Sequence, residues 1–220
     1  MADAGSVLSV RGLGKSFGDR PVLRELDLTV HRGEVVALVG PNGAGKTTAL
    51  RCVVGAEPPD AGEVLLGEHR LDTRLPQARR ALCTVIGDAG VLPDLTVAEH
   101  LDLLARAHGV GGGPDGTTGD VAAVVAAALD EARIAHVADQ VPGTLSSGQG
   151  QRLALAAAMV RPWALLVADE PEQRLDDAGR GWLAGWLAGH ASRGRSVLLA
   201  CHDAEVVARS GARVVELAGD

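Results

Sequence analysis

Tyrosine is absent from this chain, phenylalanine occurs once (Phe17), and lysine occurs twice, at Lys15 and Lys46. Basic side chains are in the minority: 21 Lys and Arg stand against 28 Asp and Glu, a formal charge of −7. That balance argues against general nucleic-acid binding, which needs a basic surface to displace phosphate counterions. Cysteine is scarce too. Cys52, Cys83 and Cys201 lie far apart and form no CxxC pair. A zinc site and a disulfide framework are therefore not expected, and the three read as small buried hydrophobes in a reducing, cytosolic setting. No apolar run approaches the roughly 18 residues that span a bilayer; the longest, Val121 to Leu129, has nine. Met1 to Val10 holds no basic stretch ahead of an apolar one, so no signal peptide is expected. Residue types this rare carry more information where they do occur.

What is present suits a sizeable folded domain. The 220 residues, 46% hydrophobic and 22% charged, allow one large domain, or a core with an inserted subdomain, without disulfides. Strand and helix patterns alternate. Val22 to Val30 reads partly as a strand, and the β-branched run Glu34 to Val39 reads as a buried parallel strand. A helix is predicted from Gly45 to Val54, and short strands over Glu63 to Leu66 and Leu82 to Ile86. Thr96, with Glu99 three residues on, opens a helix that runs to His108. A glycine-rich connection, Gly109 to Gly119, follows it. Further helices are predicted over Asp120 to Arg133 and Gln149 to Val160. Trp163 to Ala168 is a second apolar strand, Asp177 to His190 a helix, and Ser196 to Ala200 a third core strand. A helix from Asp203 and a strand over Arg213 to Leu217 close the pattern. The order implies an α/β fold with a doubly wound parallel core. A helical block, residues 88–148, is inserted between core segments 1–87 and 149–220. The chain closes at Asp220, so no regulatory domain is expected.

Gly40-Pro41-Asn42-Gly43-Ala44-Gly45-Lys46-Thr47 fits G-x-x-x-x-G-K-[ST] in full, between a predicted strand and a predicted helix. Glycines permit the backbone conformations and close approach that let successive N–H groups face phosphates. The helix N-terminus adds favourable potential. In this pattern Lys46 places a charge at the β- and γ-phosphates, the Thr47 hydroxyl ligates Mg²⁺, and Thr48 faces the α-phosphate. The second apolar strand runs into Asp169-Glu170. Carboxylates at the carboxyl edge of a parallel sheet face bound phosphates. Asp169 is the metal candidate, and Glu170 the residue that polarises an attacking water.

Between these motifs lies Leu145-Ser146-Ser147-Gly148-Gln149-Gly150-Gln151-Arg152. Here the chain resembles the ATP-binding subunit of an ABC transporter, whose signature is LSGGQ ahead of a helix. The phosphate loop, this stretch, Asp169-Glu170, Leu175-Asp176 and Cys201-His202-Asp203 appear in the family's order and at its spacing. The resemblance implies a P-loop NTPase core with a parallel sheet, a small N-terminal antiparallel β subdomain and an inserted α-helical subdomain. It implies Phe17 as the ring that stacks on adenine. Ser146, Ser147, Gly148 and Gln149 would bind the γ-phosphate of the other subunit's ATP, Asp176 would join the two sites, and His202 would be the switch histidine. ATP and Mg²⁺ are the implied ligands. A second nucleotide-binding subunit and a membrane permease are the implied partners, at the inner face of the cell membrane. A small exporter is the narrower expectation. An ATP-driven switch on a membrane complex that transports nothing, or an impaired subunit paired with an active one, are the alternatives.

Two departures from the family pattern bear on activity. Gly87 stands where the family carries a glutamine that assists Mg²⁺ and couples the site to the membrane subunit; Asp88, beside it, is a weak substitute ligand. Glu172-Gln173-Arg174 are bulkier and more charged than the residues usual there, and are expected to face the dimer partner.

Overall fold

The computed structural model describes residues 5–87, 90–111 and 119–218. Two long strands, β1 (Ser6–Phe17) and β2 (Arg20–His31), form an antiparallel hairpin. A two-residue turn joins them, with Gly18 at φ +60°. The short buried strand β3 (Val35–Val39) leads through a loop to helix α1 (Lys46–Val53). Then come β4 (Ala61–Leu66), β5 (His69–Arg70), α2 (Pro76–Ala81) and β6 (Leu82–Val85). Helices α3 (Val97–Ala107), α4 (Val121–Glu131) and α5 (Ser147–Met159) follow. The chain returns through β7 (Leu165–Asp169), α6 (Asp177–Ser192), β8 (Ser196–Ala200), α7 (Ala204–Arg209) and β9 (Arg213–Glu216).

The strands form two sheets. One is antiparallel, in the order β2-β1-β4-β5; the other is wholly parallel, in the order β6-β7-β8-β3-β9. The expected combination of a parallel core and an antiparallel N-terminal sheet is therefore present. Both sheets and α1 share one apolar core, in which Leu13, Leu38, Leu50, Leu165 and Leu198 are fully buried. Each buried leucine contributes roughly 2 kcal/mol through removal of apolar surface from water. Cys52, Cys83 and Cys201 are buried free thiols.

The backbone groups into two compact units. The first is Met1–Ile86, Trp163–Glu172 and Asp177–Asp220, and the second is Gly87–Pro162 and Gln173–Asp176. Helix α5 was expected in the core from residue 149 onward, but it belongs to the second unit, where α3 and α4 pack against it. Its start is also earlier than predicted, because Ser146 is the N-cap: Ser146 Oγ accepts from Gln149 N and Gln149 Oε1 accepts from Ser146 N. The same reciprocal cap opens α3, between Thr96 and Glu99, as the sequence predicted. Most of the glycine-rich connection, residues 112–118, lies outside the described residues. Among the described residues no helix is long and apolar enough to cross a membrane.

A cluster of rings closes the first unit around the last turn of α6. His190 packs against Trp163 and Trp186 with ring centroids 5.1 and 4.6 Å apart, and the Arg195 guanidinium lies 4.8 Å over Trp163. Burial, with the charges of Arg195 and Arg193, lowers the imidazole pKa to about 4. An unfolded histidine titrates near pH 6.5. Between those values the unfolded chain takes up a proton that the fold refuses, so this part of the stability is present above pH 6.5 and is lost as pH falls toward 4. The difference amounts to about 3 kcal/mol at most. Denaturant melts at pH 7.5 and pH 4.5 test this. Relative to His190→Gln, the wild-type chain should lose about 2–3 kcal/mol between the two; a constant difference would refute it.

Candidate active site

Strand β3 lies between β8 and β9 in the parallel sheet, and the glycine loop leaves its carboxyl end. Two glycines there are required by contact and conformation. A Cβ on Gly40, at φ +150°, would strike the Leu217 carbonyl. Gly45, at φ +91°, is the N-cap of α1, and a Cβ on it would stand 2.8 Å from Leu23 Cδ2 and 2.9 Å from the Val22 carbonyl. Since Gly45 has no side chain, none caps the helix, and its first turn carries no acid. Its leading N–H groups thus present an uncapped positive end suited to an anion. Lys46 is buried, and Nζ donates to the carbonyls of Gly40 at 2.8 Å and Pro41 at 3.0 Å. Ala44 packs into the core and anchors the loop from below.

Parallel pairing brings the acids to the same edge. Asp169, the last residue of β7, pairs with Ala200, the last of β8. The Asp169 carboxyl bonds the Thr47 hydroxyl, while its Oδ1 is buried with no partner. Burial, reinforced by the charge of Glu170, raises its pKa, against the opposing pull of Thr47, Arg51 and Lys46. A buried acceptor oxygen left open beside a hydroxyl fits a hard cation such as Mg²⁺. Among the described residues no cluster of three or more His, Cys, Asp and Glu could hold a metal by itself, so the remaining ligands would have to come from phosphate and water. Glu170 sits in a left-handed backbone, φ +47°, with its N–H bonded to the Ala200 carbonyl at 2.9 Å. Its Oε1 lies 2.8 Å from His202 Nε2.

A cleft of ≈ 390 Å³ runs from Phe17 to the loop, lined also by Arg20, Val22, Asn42, Lys46, Thr47, Thr48 and Glu170. Phe17 is 52% exposed, so it is a wall of the cleft and not a core ring. Lys15 Nζ lies 5.5 Å from its ring centroid and is held by Glu57 at 3.0 Å and Asp60 at 3.2 Å.

The remaining predicted residues belong to the second unit. Ser146 caps α5 by accepting a hydrogen bond, which leaves its own O–H free to donate. A Cβ on Gly148 would stand 2.9 Å from the Arg174 carbonyl, whereas Ser147 is exposed. Contact thus demands glycine at the second position of the pair and tolerates serine at the first. Asp176 lies 3.6 Å from Arg152. Gly87 has φ +67° and open space around it, so the absent glutamine is a matter of backbone as well as side chain. Asp88 lies outside the described residues.

Two site features were not legible as motifs. Arg20 pairs across the hairpin turn with Phe17, and a hairpin reading of Phe17-Gly18-Asp19-Arg20 would have found it. Glu172 was expected on the dimer-facing surface, but it is 6% exposed and turned inward, where Oε1 accepts from His202 N at 2.8 Å. Gln173 and Arg174 are exposed as expected.

A parallel strand feeding a glycine loop into an uncapped helix, with acids ending the neighbouring strand, defines a P-loop nucleotide triphosphatase core. The family model described as ABC transporter matches residues 23–173. The chain belongs to that family, and it is an ATP-binding ABC ATPase domain. It is 35% identical over 210 residues to the SkfA peptide export ATP-binding protein SkfE of Bacillus subtilis (strain 168), covering 95% of this chain and 84% of that one. It is 40% identical over 211 residues to the aliphatic sulfonates import ATP-binding protein SsuB 1 of Nocardia farcinica (strain IFM 10152), covering 96% and 77%. A solved structure titled as the dimeric structure of MJ0796, a bacterial ABC transporter cassette, superposes with a TM-score of 0.84 at 25% identity, covering 96% of this chain and 94% of that one.

The close approach at Gly45 generates a prediction. Gly45→Ala should destabilise the fold by roughly 2 kcal/mol or more and weaken ATP binding at least tenfold. Thermal melts with and without ATP check this, and an unchanged ATP-induced shift would refute it.

Proposed function

We propose that this chain pairs with a second nucleotide-binding subunit around two ATP molecules and powers a membrane transporter through a permease partner, working at the cytoplasmic face of the membrane. The observation that carries this reading is the convergence of Lys46, Thr47, Asp169, Glu170 and Phe17 on one edge of the parallel sheet. In it, Phe17 stacks on the adenine. The N–H groups of the Gly40–Thr48 loop donate to the phosphates, and the Lys46 ammonium leaves the loop carbonyls for the β- and γ-oxygens. Thr47 and Asp169 would hold Mg²⁺, which when bound supplies positive charge against the phosphates. Glu170 accepts the proton of the attacking water, and His202, hydrogen-bonded to it, orients that carboxylate and meets the γ-phosphate. Ser146, Ser147, Gly148 and Gln149 donate from the start of α5 to the γ-phosphate held by the other subunit, and Asp176 lies at the junction of the two sites. We further propose that the second unit is the helical insertion of such a subunit.

Export is the reading we favour for direction, supported by the likeness to a peptide-export subunit over most of both chains. Import is the second reading, favoured by the 40% identity to a sulfonate-import subunit. Uptake assays in inverted vesicles carrying the chain and its co-purified membrane partner separate them: ATP-driven accumulation means export, ATP-driven depletion import.

For the hydrolytic role, Glu170→Gln should lower ATP turnover at least 100-fold, within the range expected for loss of a general base. ATP affinity should stay within about threefold, and the variant should form an ATP-dependent dimer by light scattering. Lys46→Ala should abolish ATP binding, and Phe17→Ala should weaken it about tenfold, in line with the ~1 kcal/mol of a stacked ring pair. Wild-type turnover in Glu170→Gln would overturn the assignment.

A further inference from the structure

The segment that leaves β8, Cys201-His202-Asp203, has no regular secondary structure, yet its imidazole meets Glu170 Oε1 at 2.8 Å. Something must hold it there. Its two ends are tied: Cys201 N donates to the Leu38 carbonyl at 3.2 Å, and Asp203 caps α7 through Glu205 N and Val206 N and receives Arg180 Nε at 3.1 Å. The middle is tied by a side chain that comes from the other strand. Glu172 Oε1 accepts the backbone N–H of His202 at 2.8 Å, and the Cys201 thiol also rests against this carboxylate. Glu172 is 6% exposed, and its second oxygen, Oε2, is buried without a partner.

A buried carboxylate with one oxygen unsatisfied is costly. An apolar side chain of the same volume would suit stability as well or better. The placement is also specific: Glu172 lies two residues beyond Glu170, so the two ends of one short segment grip one histidine, Glu170 by its ring and Glu172 by its backbone. Closing that loop fixes the distance between the imidazole and the catalytic carboxylate.

We propose that Glu172 is a positioning residue for ATP hydrolysis, acting through His202: its buried carboxylate pins the His202 backbone so that the imidazole holds Glu170 in line with the attacking water. The inference rests on the reading of Glu170 and His202 given above. Glu172 does not line the nucleotide cleft, so its effect belongs to turnover and not to ATP binding.

The test uses the full chain in four variants, reading kcat, KM for ATP and thermal midpoint. Glu172→Met keeps volume and removes the acceptor; it should lower kcat about tenfold, leave KM within twofold, and leave the midpoint equal or higher. Glu172→Gln keeps an acceptor oxygen for the His202 N–H and should retain kcat within threefold. Added to His202→Ala, Glu172→Met should cost nothing more, because its effect has no other route. A merely structural role predicts that kcat follows the thermal midpoint and that the two substitutions multiply; either result overturns the proposal, as does full kcat in Glu172→Met. If His202→Ala is itself as fast as the wild-type chain, the reading of the histidine falls, and this inference with it. If His202→Ala is slow and Glu172→Met is fast, this inference alone falls.

Discussion

The parallel pairing of β7, β8 and β3 is the constraint on which the site depends. Ala200 is in register with Asp169 on one side and Leu38 on the other, so three chain segments leave the sheet at the same level. One becomes the glycine loop, one the acidic pair, and one the histidine segment. Backbone hydrogen bonds hold them: Glu170 N to the Ala200 carbonyl, Cys201 N to the Leu38 carbonyl and Leu217 N to the Val39 carbonyl. A slip of one residue in any pairing would reverse the faces of the strand and separate Glu170 from His202. The fully buried apolar residues of these strands are what specify the register, since a shifted strand would turn half of them toward polar surroundings.

The parts of this arrangement that depend on local rules were legible in the sequence. The helix that starts at Thr96 announced itself by a serine- or threonine-type cap with an acid three residues on, and the phosphate loop by a spacing that glycine chemistry requires. The parallel strands were legible as short apolar runs. Strand β1 was not, because Gly12, Gly14 and the register shifts after Val10 and Leu13 break its alternation. Helix α2 is six residues long with few buried positions, too short to show a period. The start of α5 was misplaced because glycine at 148 suggested a break. In the folded chain that glycine lies within the helix, where the Arg174 carbonyl leaves no room for a side chain.

The site residues divide in the same way. Lys46, Thr47, Asp169 and Glu170 belong to contiguous motifs and could be read from spacing. Arg20 and Glu172 depend on which segments the fold brings together, a hairpin register in one case and adjacent strand ends in the other. No local pattern encodes either. Glu172 is the sharper case: charge alone placed it on the surface, and only the His202 N–H that it receives accounts for its burial.

Glu170 holds a backbone conformation, φ +47°, that L-residues adopt at a cost of roughly 1–2 kcal/mol. Glycine or asparagine would occupy it with less strain. Selection for thermal stability alone would therefore favour replacing the very side chain on which hydrolysis turns. The glutamate persists in a position that folding by itself would give to another residue, and this places chemistry, not stability, as the pressure that maintains it.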